Sequence, residues 1–447
     1  MTGMRTTRRG TVRRALAAGG AAVGATLGVA GCSPVGRGGG EGAARTAGPA
    51  TIDVAYNFTP FEMPYLERHT QAFMRANPQI TVNTTNTQGD EFYTKLTAML
   101  AGGTPPHMTH MTSRWAGQFI RGQKALTDLT PFTRQDRVDV RDFWPLLSEG
   151  FADEEKRPMV LPYDITVQLL YYNAGLLRAA GAPLPTERWT LDDMLAAAQK
   201  AARKSGDQLE VAGYDGLPNG GQFEYAVERF GGRLLDDRLT HCELNSAGSV
   251  AGIQFWTDLR HRHNVAPVNA QQIGGLNLLQ SFTQGRLALA GSGTTFASQV
   301  KAADPAFEWD VVAVPRGPAG DPLRAGGGGY GLVKGARDQD SAWRYLTFMV
   351  SAGVLMDMVG QPRRSVPGRA SVAKAVAAES GTAPGNWKVI VPVTEKARHI
   401  TFGLTPKGGD VLQEVTPALN KVYAGGTNVK SELDALAQRI DAILGAR

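Results

Sequence analysis

Four consecutive glycines precede a tyrosine in RAGGGGYGLVKG, residues 324–335, and Gly326, Gly328 and Gly331 fall at the G-x-G-x-x-G spacing that cradles a dinucleotide pyrophosphate. That chemistry needs a strand before the glycines and a helix opening after them, so that backbone N–H groups point at the phosphate. Here the order is reversed: a turn-rich loop, PRGPAGDPLRA, comes first and YGLVKG reads as a strand. Lys334 stands between Val333 and Gly335, so no Walker Gly-Lys-Ser/Thr is present. The run then reads either as a flexible hairpin or as a ligand-facing loop. In the second case glycines without Cβ at Gly328 and Gly329 let backbone amides come close to a ligand, and Tyr330 lays its ring against it.

Other constellations that could carry chemistry lack the spacing for it. His107 and His110 fall in an expected strand, where a separation of three puts them on opposite faces. His261 and His263 fall on an expected helix, about 200° apart around its axis. Gly291-Ser292-Gly293 lacks the G-x-S-x-G frame of a nucleophile elbow, and Asp192-Asp193 open a helix, where they favour its dipole. No metal, no cofactor and no enzymatic activity are expected.

The elements that would position a site alternate. TIDVAYNF and QITVNTT read as strands, MPYLERHTQAFMRANP and EFYTKLTAMLAGG as helices ended by Pro78 and by Gly102-Gly103, and HMTHMT as a third strand before SRWAGQFIRGQ. This is a βαβα pattern, the mark of a parallel sheet. Beyond Pro158 an almost wholly apolar extended stretch leads to Thr190 and Asp193, a helix N-cap arrangement. Further helices are expected around 222–230, 247–261, 277–284 and 339–351, strands at RLALAGSG and WDVVAVP, and an amphipathic helix in KSELDALAQRIDAIL.

The net charge of +6 over 447 residues first suggests a nucleic-acid or anionic-surface partner. Its location argues otherwise. Arg5, Arg8, Arg9, Arg13 and Arg14 precede ALAAGGAAVGATLGVAGC, with no acid before Glu41, as in an export signal. The run is short and rich in Gly and Ala, unlike a permanent span. Val29-Ala30-Gly31-Cys32 resembles a bacterial lipobox, which implies cleavage after residue 31 and lipidation of Cys32. TRRGTVRR also resembles a twin-arginine signal. Loss of residues 1–31 lowers the formal charge by five, to +1, and no nucleic-acid partner is expected. Residues 32–50, Gly- and Ala-rich, read as a flexible tether. Cys242 is then left as a lone cysteine, the usual state of a small buried apolar group.

The order of segments over residues 51–445 resembles the extracellular solute-binding proteins of ABC importers, the maltodextrin-type family. The resemblance is carried by KLTAMLAGGTPPHMTHM, by LLYYNAGLLRAAGAPLPTERWTLDDMLAAAQK, by SFTQGRLALAGSGTTF and by GYGLVKGARDQDSAWRYLTFMVS. It implies an α/β, two-lobed periplasmic-binding-protein-like fold of type II. Each lobe would be a mainly parallel sheet flanked by helices, joined by hinge strands near 161–165, 306–314 and 364–370. Lobe one would comprise 51–162 with about 312–366, and lobe two 163–311 with about 367–447. The resemblance further implies a monomer held at the outer membrane face by its lipid, capturing a carbohydrate between the lobes and handing it to the permease subunits of an ABC importer.

Sugar hydroxyls need planar polar partners and sugar C–H faces need aromatic plates. Loops after the expected strands supply Asn57, Phe58 and Phe61, then Ser113, Arg114 and Trp115, then Tyr163 and Asp164. Further along come Tyr214 with Asp215, Phe223 and Glu224, then Gly293, Thr294 and Phe296, then Arg363 and Arg364, and Trp387. Tyr171, Tyr172 and Asn173 read as core of the second lobe. Arg114, Arg363 and Arg364 would also suit a phosphate, so a charged solute such as glycerol phosphate is the alternative ligand. A secreted glycan hydrolase would need two facing carboxylates, and no such pair is legible.

Overall fold

The computed structural model describes residues 49–445 apart from 380 and 382. The expected export signal, Cys32 and nearly all of the tether lie outside the described residues. β1 (Ala50–Tyr56) buries Ile52, Val54 and Tyr56 while Thr51 and Asp53 point outward, the period of a half-buried strand. The helix Met63–Ala76 turns Leu66, Thr70 and Phe73 inward at helical spacing and stops at Asn77, ahead of Pro78. β2 (Ile80–Asn86), the helix Asp90–Ala101 and β3 (Met108–Thr112) complete the expected βαβα run, with β2 and β3 both parallel to β1. The remaining strands are β4 (Leu161–Thr166), β5 (Gln168–Asn173), β6 (Arg203–Ser205), β7 (Gln208–Asp215), β8 (Leu287–Gly293), β9 (Trp309–Ala313), β10 (Arg324–Leu332), β11 (Val366–Pro367) and β12 (Arg398–His399).

Two sheets divide these strands, one in each lobe. The first has the order β11-β4-β10-β3-β1-β2, with β12 beside the start of β10. The second has the order β6-β7-β8-β5-β9. Both are mixed, which corrects the expectation of mainly parallel sheets. β10 runs antiparallel to β3 and β4, and β5 runs antiparallel to β8 and β9. A parallel neighbour needs a crossover connection of a dozen or more residues. β4 passes to β5 through Val167 alone, and β10 arrives directly from the other lobe, so no crossover helix sets its direction. The chain leaves the first sheet at Val167, returns after residues 314–323 at Arg324, and leaves again beyond Pro367. The expected lobe changes were at 162/163, 311/312 and 366/367.

The glycine run is neither a hairpin nor a loop: all of it lies in β10, in the middle of the first sheet. Close approach on both sides explains the composition. A Cβ on Gly327 would lie 1.9 Å from the Asp164 carbonyl oxygen, and one on Gly329 2.5 Å from that of Leu161.

The second lobe opens as its sequence indicated. Thr190 and Asp193 form a reciprocal capping box on the helix Leu191–Ala201, with Asp193 Oδ2 accepting from the Thr190 N–H at 2.8 Å. Arg229, 2 % exposed, holds the returning segment: its guanidinium donates to the carbonyls of Pro315 at 2.9 Å, Pro322 at 2.7 Å and Val314 at 3.2 Å. Beside it, Arg324 at the head of β10 pairs with Glu228 at 2.6 Å and Glu224 at 3.4 Å.

Candidate functional site

β1, β3, β4 and β10 bring their ends and faces to one cavity of about 260 Å³. The first sheet contributes His110, Thr112, Asp164, Thr166 and Gly326, Gly327 and Gly328; the loop after β1 contributes Asn57 and Glu62, and Gly221 reaches in from the second lobe. Ile400 and Phe402 supply apolar surface from the segment after β12.

Its floor is a buried ion cluster. Arg364, just before β11, pairs through Nη1 with Glu62 at 3.2 Å and donates from Nη2 to Asp164 at 2.5 Å, with both side chains of the latter pair about a tenth exposed. Its guanidinium also stacks over the Tyr163 ring, 5.3 Å from the centroid. Burial alone would lower the Arg364 pKa, but Tyr163, Asp164 and Glu62 around it raise it. Both carboxylates are oriented by backbone groups. Asp164 Oδ1 accepts the Gly328 N–H at 2.9 Å, and Glu62 Oε2 accepts the N–H and hydroxyl of Thr59, each at 2.9 Å. Charge-assisted bonds of this kind fix geometry strongly. Two carboxylates against one guanidinium leave the trio with a net negative charge.

Gly328 earns its place by this floor. A Cβ there would lie 2.5 Å from His110 Nε2 and 3.2 Å from Asp164 Oδ1. The His110 ring fills that space among Phe58 at 5.1 Å, Tyr330 at 5.8 Å and Tyr163 at 6.4 Å between centroids. Burial pulls the His110 pKa down to about 4; Arg364 adds to this and Asp164 opposes it. The imidazole is therefore neutral at neutral pH.

Of the residues expected from the sequence, Asn57, Ser113, Arg114, Tyr163, Asp164, Gly328 and Arg364 come together around this cavity. Asn57 is engaged with Gly89, whose N–H it accepts at 2.9 Å, and Ser113 Oγ accepts the Gly327 N–H at 3.0 Å. Arg114 is 41 % exposed and sits 3.7 Å from Asp90. The others lie elsewhere. Tyr330 and Phe58 are enclosed behind the floor, in one aromatic cluster with Tyr56. Trp115 stacks on Tyr93 at 4.8 Å, against the backbone of Gly409. Phe61 is exposed beside Tyr65. Gly329 is pressed against β4. Tyr214, Phe223, Thr294, Phe296 and Trp387 are buried, Phe296 edge-on to Tyr171 at 4.9 Å. Glu224 is buried under the Arg324 pair and accepts the Thr401 N–H at 2.8 Å; burial drives its pKa up to about 7 against the pull of Arg324. Arg363 is buried and donates to the Pro384 carbonyl. Gly293 lines a separate hollow of the second lobe, together with Asp215.

Sequence reading missed Glu62, His110 and Phe402. Glu62 was legible only as the residue before a helix, and Phe402 belongs to a short turn, Phe402–Leu404, that no periodicity marks. His110 was weighed for metal alone.

Comparison with known proteins places this geometry. The family model described as bacterial extracellular solute-binding protein matches residues 59–356. An ABC substrate-binding protein from Listeria monocytogenes, solved with cycloalternan, superimposes with a TM-score of 0.78 at 19 % identity, over 89 % of this chain and 99 % of that one. A solute-binding protein from Thermotoga lettingae bound to α-D-tagatose gives 0.74 at 20 %, over 88 % and 100 %. The sugar-binding protein MalE from Xanthomonas citri gives 0.74 at 21 %, over 88 % and 97 %. At these identities the likeness is one of fold, and the fold is the two-lobed α/β one expected.

Proposed function

The chain belongs to the bacterial extracellular solute-binding proteins, and from that premise we propose that it captures a carbohydrate in the cleft floored by Arg364 and delivers it to the permease of an ABC importer. The carrying observation is the Glu62–Arg364–Asp164 cluster on the cleft floor. Fixed carboxylates with a guanidinium between them suit a ligand rich in hydroxyls, each of which both donates and accepts. Solved relatives of this fold carry sugars, as their descriptions state. Lobe closure over the ligand, a lipid anchor at Cys32 and binding without turnover complete the reading. So does the division into lobes at the Val167, 314–323 and post-Pro367 crossings.

A second reading, a charged solute such as glycerol phosphate, is favoured by Arg114, whose exposed guanidinium stands on the cleft wall. The net negative floor opposes it. Titration of tryptophan fluorescence against mono-, di- and oligosaccharides and glycerol phosphates separates the two. A saturable sugar response lost in Arg364→Ala supports the carbohydrate reading. A response to the phosphates alone, lost in Arg114→Ala, transfers the function to the charged solute.

A further inference from the structure

Ile400 and Phe402 line the cleft from a segment, 399–402, that no strand continues beyond the two residues of β12. Side chains from separate parts of the chain hold its backbone. Arg324, at the head of β10, donates from Nη1 to the His399 carbonyl at 2.8 Å. His399 Nδ1 donates to the Ile400 carbonyl at 2.9 Å. Glu224, on the short helix Glu224–Glu228 that follows β7, accepts the Thr401 N–H at 2.8 Å. The Ile400 N–H goes to the Ala325 carbonyl at 3.2 Å, so the four successive backbone polar groups around Ile400 are all engaged.

The holding groups also meet one another. Arg324 Nε lies 3.4 Å from the Glu224 carboxylate and 2.6 Å from that of Glu228. Glu224 is fully buried with Oε2 lacking a hydrogen-bond partner, and His399 is buried with Nε2 lacking one. Unpaired buried polar atoms are costly, so these residue types answer to the backbone they hold rather than to packing. Burial raises Glu224 to about 7 against Arg324 and the Thr401 bond, with Glu228 adding to the rise. Burial lowers His399 to about 4; the Ile400 bond opposes this, and Arg121 and Arg324 add to it. Gly150, Gly403 and Phe151 enclose the ring, and Glu149 beside Gly150 is exposed.

We propose that Glu224, Arg324 and His399 form a positioning clamp that sets Ile400 and Phe402 against the ligand and holds them alike in acid and neutral surroundings. This rests on the reading of the first cavity as the ligand cleft. Release of the segment exposes both titrating groups to water. Glu224 then favours release as pH rises from 4.5 through 7, and His399 favours release as pH falls from 6.5 through 4. Between pH 4.5 and 6.5 the two oppose each other, and the hold on the wall stays level.

The test is hydrogen exchange of residues 398–404 in the full chain at pH 4.5 and 6.5, corrected for intrinsic rates and referred to the helix Leu191–Ala201. Protection in the wild type changes by less than about threefold. In Glu224→Gln, which keeps an acceptor for the Thr401 N–H, only His399 titrates, and protection rises about tenfold or more from pH 4.5 to 6.5. In His399→Asn, which keeps a donor, it falls by about as much. Thermal melts identify a variant that fails to fold, and the sign in the other then decides. A folded variant as level as the wild type, or a wild type as steep as either variant, overturns the clamp. Maltose affinity of Glu224→Gln, followed by tryptophan fluorescence, falls with the protection between pH 6.5 and 4.5; an affinity that stays level overturns the positioning role. Failure of the wild type to bind maltose counts against the carbohydrate reading, while the exchange profiles still decide the clamp.

Discussion

Replacement of Asp164 by alanine tests whether the cleft floor is an interior ion cluster or a surface one. The substitution removes the acceptor of the Arg364 Nη2 bond and of the Gly328 N–H. Arg364, 11 % exposed along its side chain, is left with Glu62 alone. Breaking a buried pair by removing one partner costs about 3–5 kcal/mol, against about 0.2–1 kcal/mol for an exposed one. Asp164→Asn keeps one of the two acceptors and sets an amide N–H against the other donor, so its expected cost is about 1–3 kcal/mol, that of a buried hydrogen bond left unmade. Urea unfolding of both variants measures the two losses. In a double-mutant cycle, Arg364→Met recovers part of the Asp164→Ala loss, because the stranded cation is gone. A loss under about 1 kcal/mol for Asp164→Ala would refute the buried-cluster reasoning.

Further predictions concern the surroundings of that floor. Gly328→Ala drives a methyl into the His110 ring, which Phe58, Tyr163 and Tyr330 hold in place; the expected cost is about 1–3 kcal/mol, with weakened ligand binding, and His110→Ala in the same chain relieves it. Stability also depends on pH in opposite senses. Burial lowers His110 and His399 from 6.5 to about 4, so each contributes about 3 kcal/mol that is present above pH 6.5 and lost as pH falls toward 4. Glu224, raised by burial from 4.5 to about 7, contributes below pH 4.5 and loses its contribution as pH rises through 7. Unfolding free energy therefore rises between pH 4.5 and 6.5, and Glu224→Gln makes the rise steeper; a flat or falling profile there contradicts the burial of the two imidazoles. Arg229→Met leaves three carbonyls of 314–323 without their donor, and hydrogen exchange in that segment should speed by tenfold or more while β1 to β3 stay protected.

Local rules carried much of the fold. Thr190 and Asp193 announced a helix start, Pro78 and Gly102 announced ends, and the alternation in 51–56 announced a strand, because each depends on neighbours in the chain. Strand direction was not legible in the same way. Nothing near Gly328 records that β3 and β4 flank it, so the glycine half of a central strand read as a hairpin or loop while YGLVKG read as a strand. The site followed the same division. Asp164 and Arg364 were found as polar residues near crossings, but their contact spans 200 positions and is a property of the folded sheet alone. Trp115 and Tyr330 show the converse limit, since a ring in a core and a ring on a cleft wall have the same neighbours in sequence.

Val167 is the whole of one connection between the sheets, and its carbonyl is held by the Thr294 N–H at 3.0 Å. With the 314–323 return gripped by Arg229, lobe closure as proposed would load the first connection as a knife-edge, its rotation falling on the two backbone torsions of one residue. A residue that narrows those torsions would act as a brake. Proline at 167 would stiffen this pivot and, by restricting the preceding Thr166, would reach the cavity wall, so the rate at which the protein admits a ligand and the strength with which it holds one would change together.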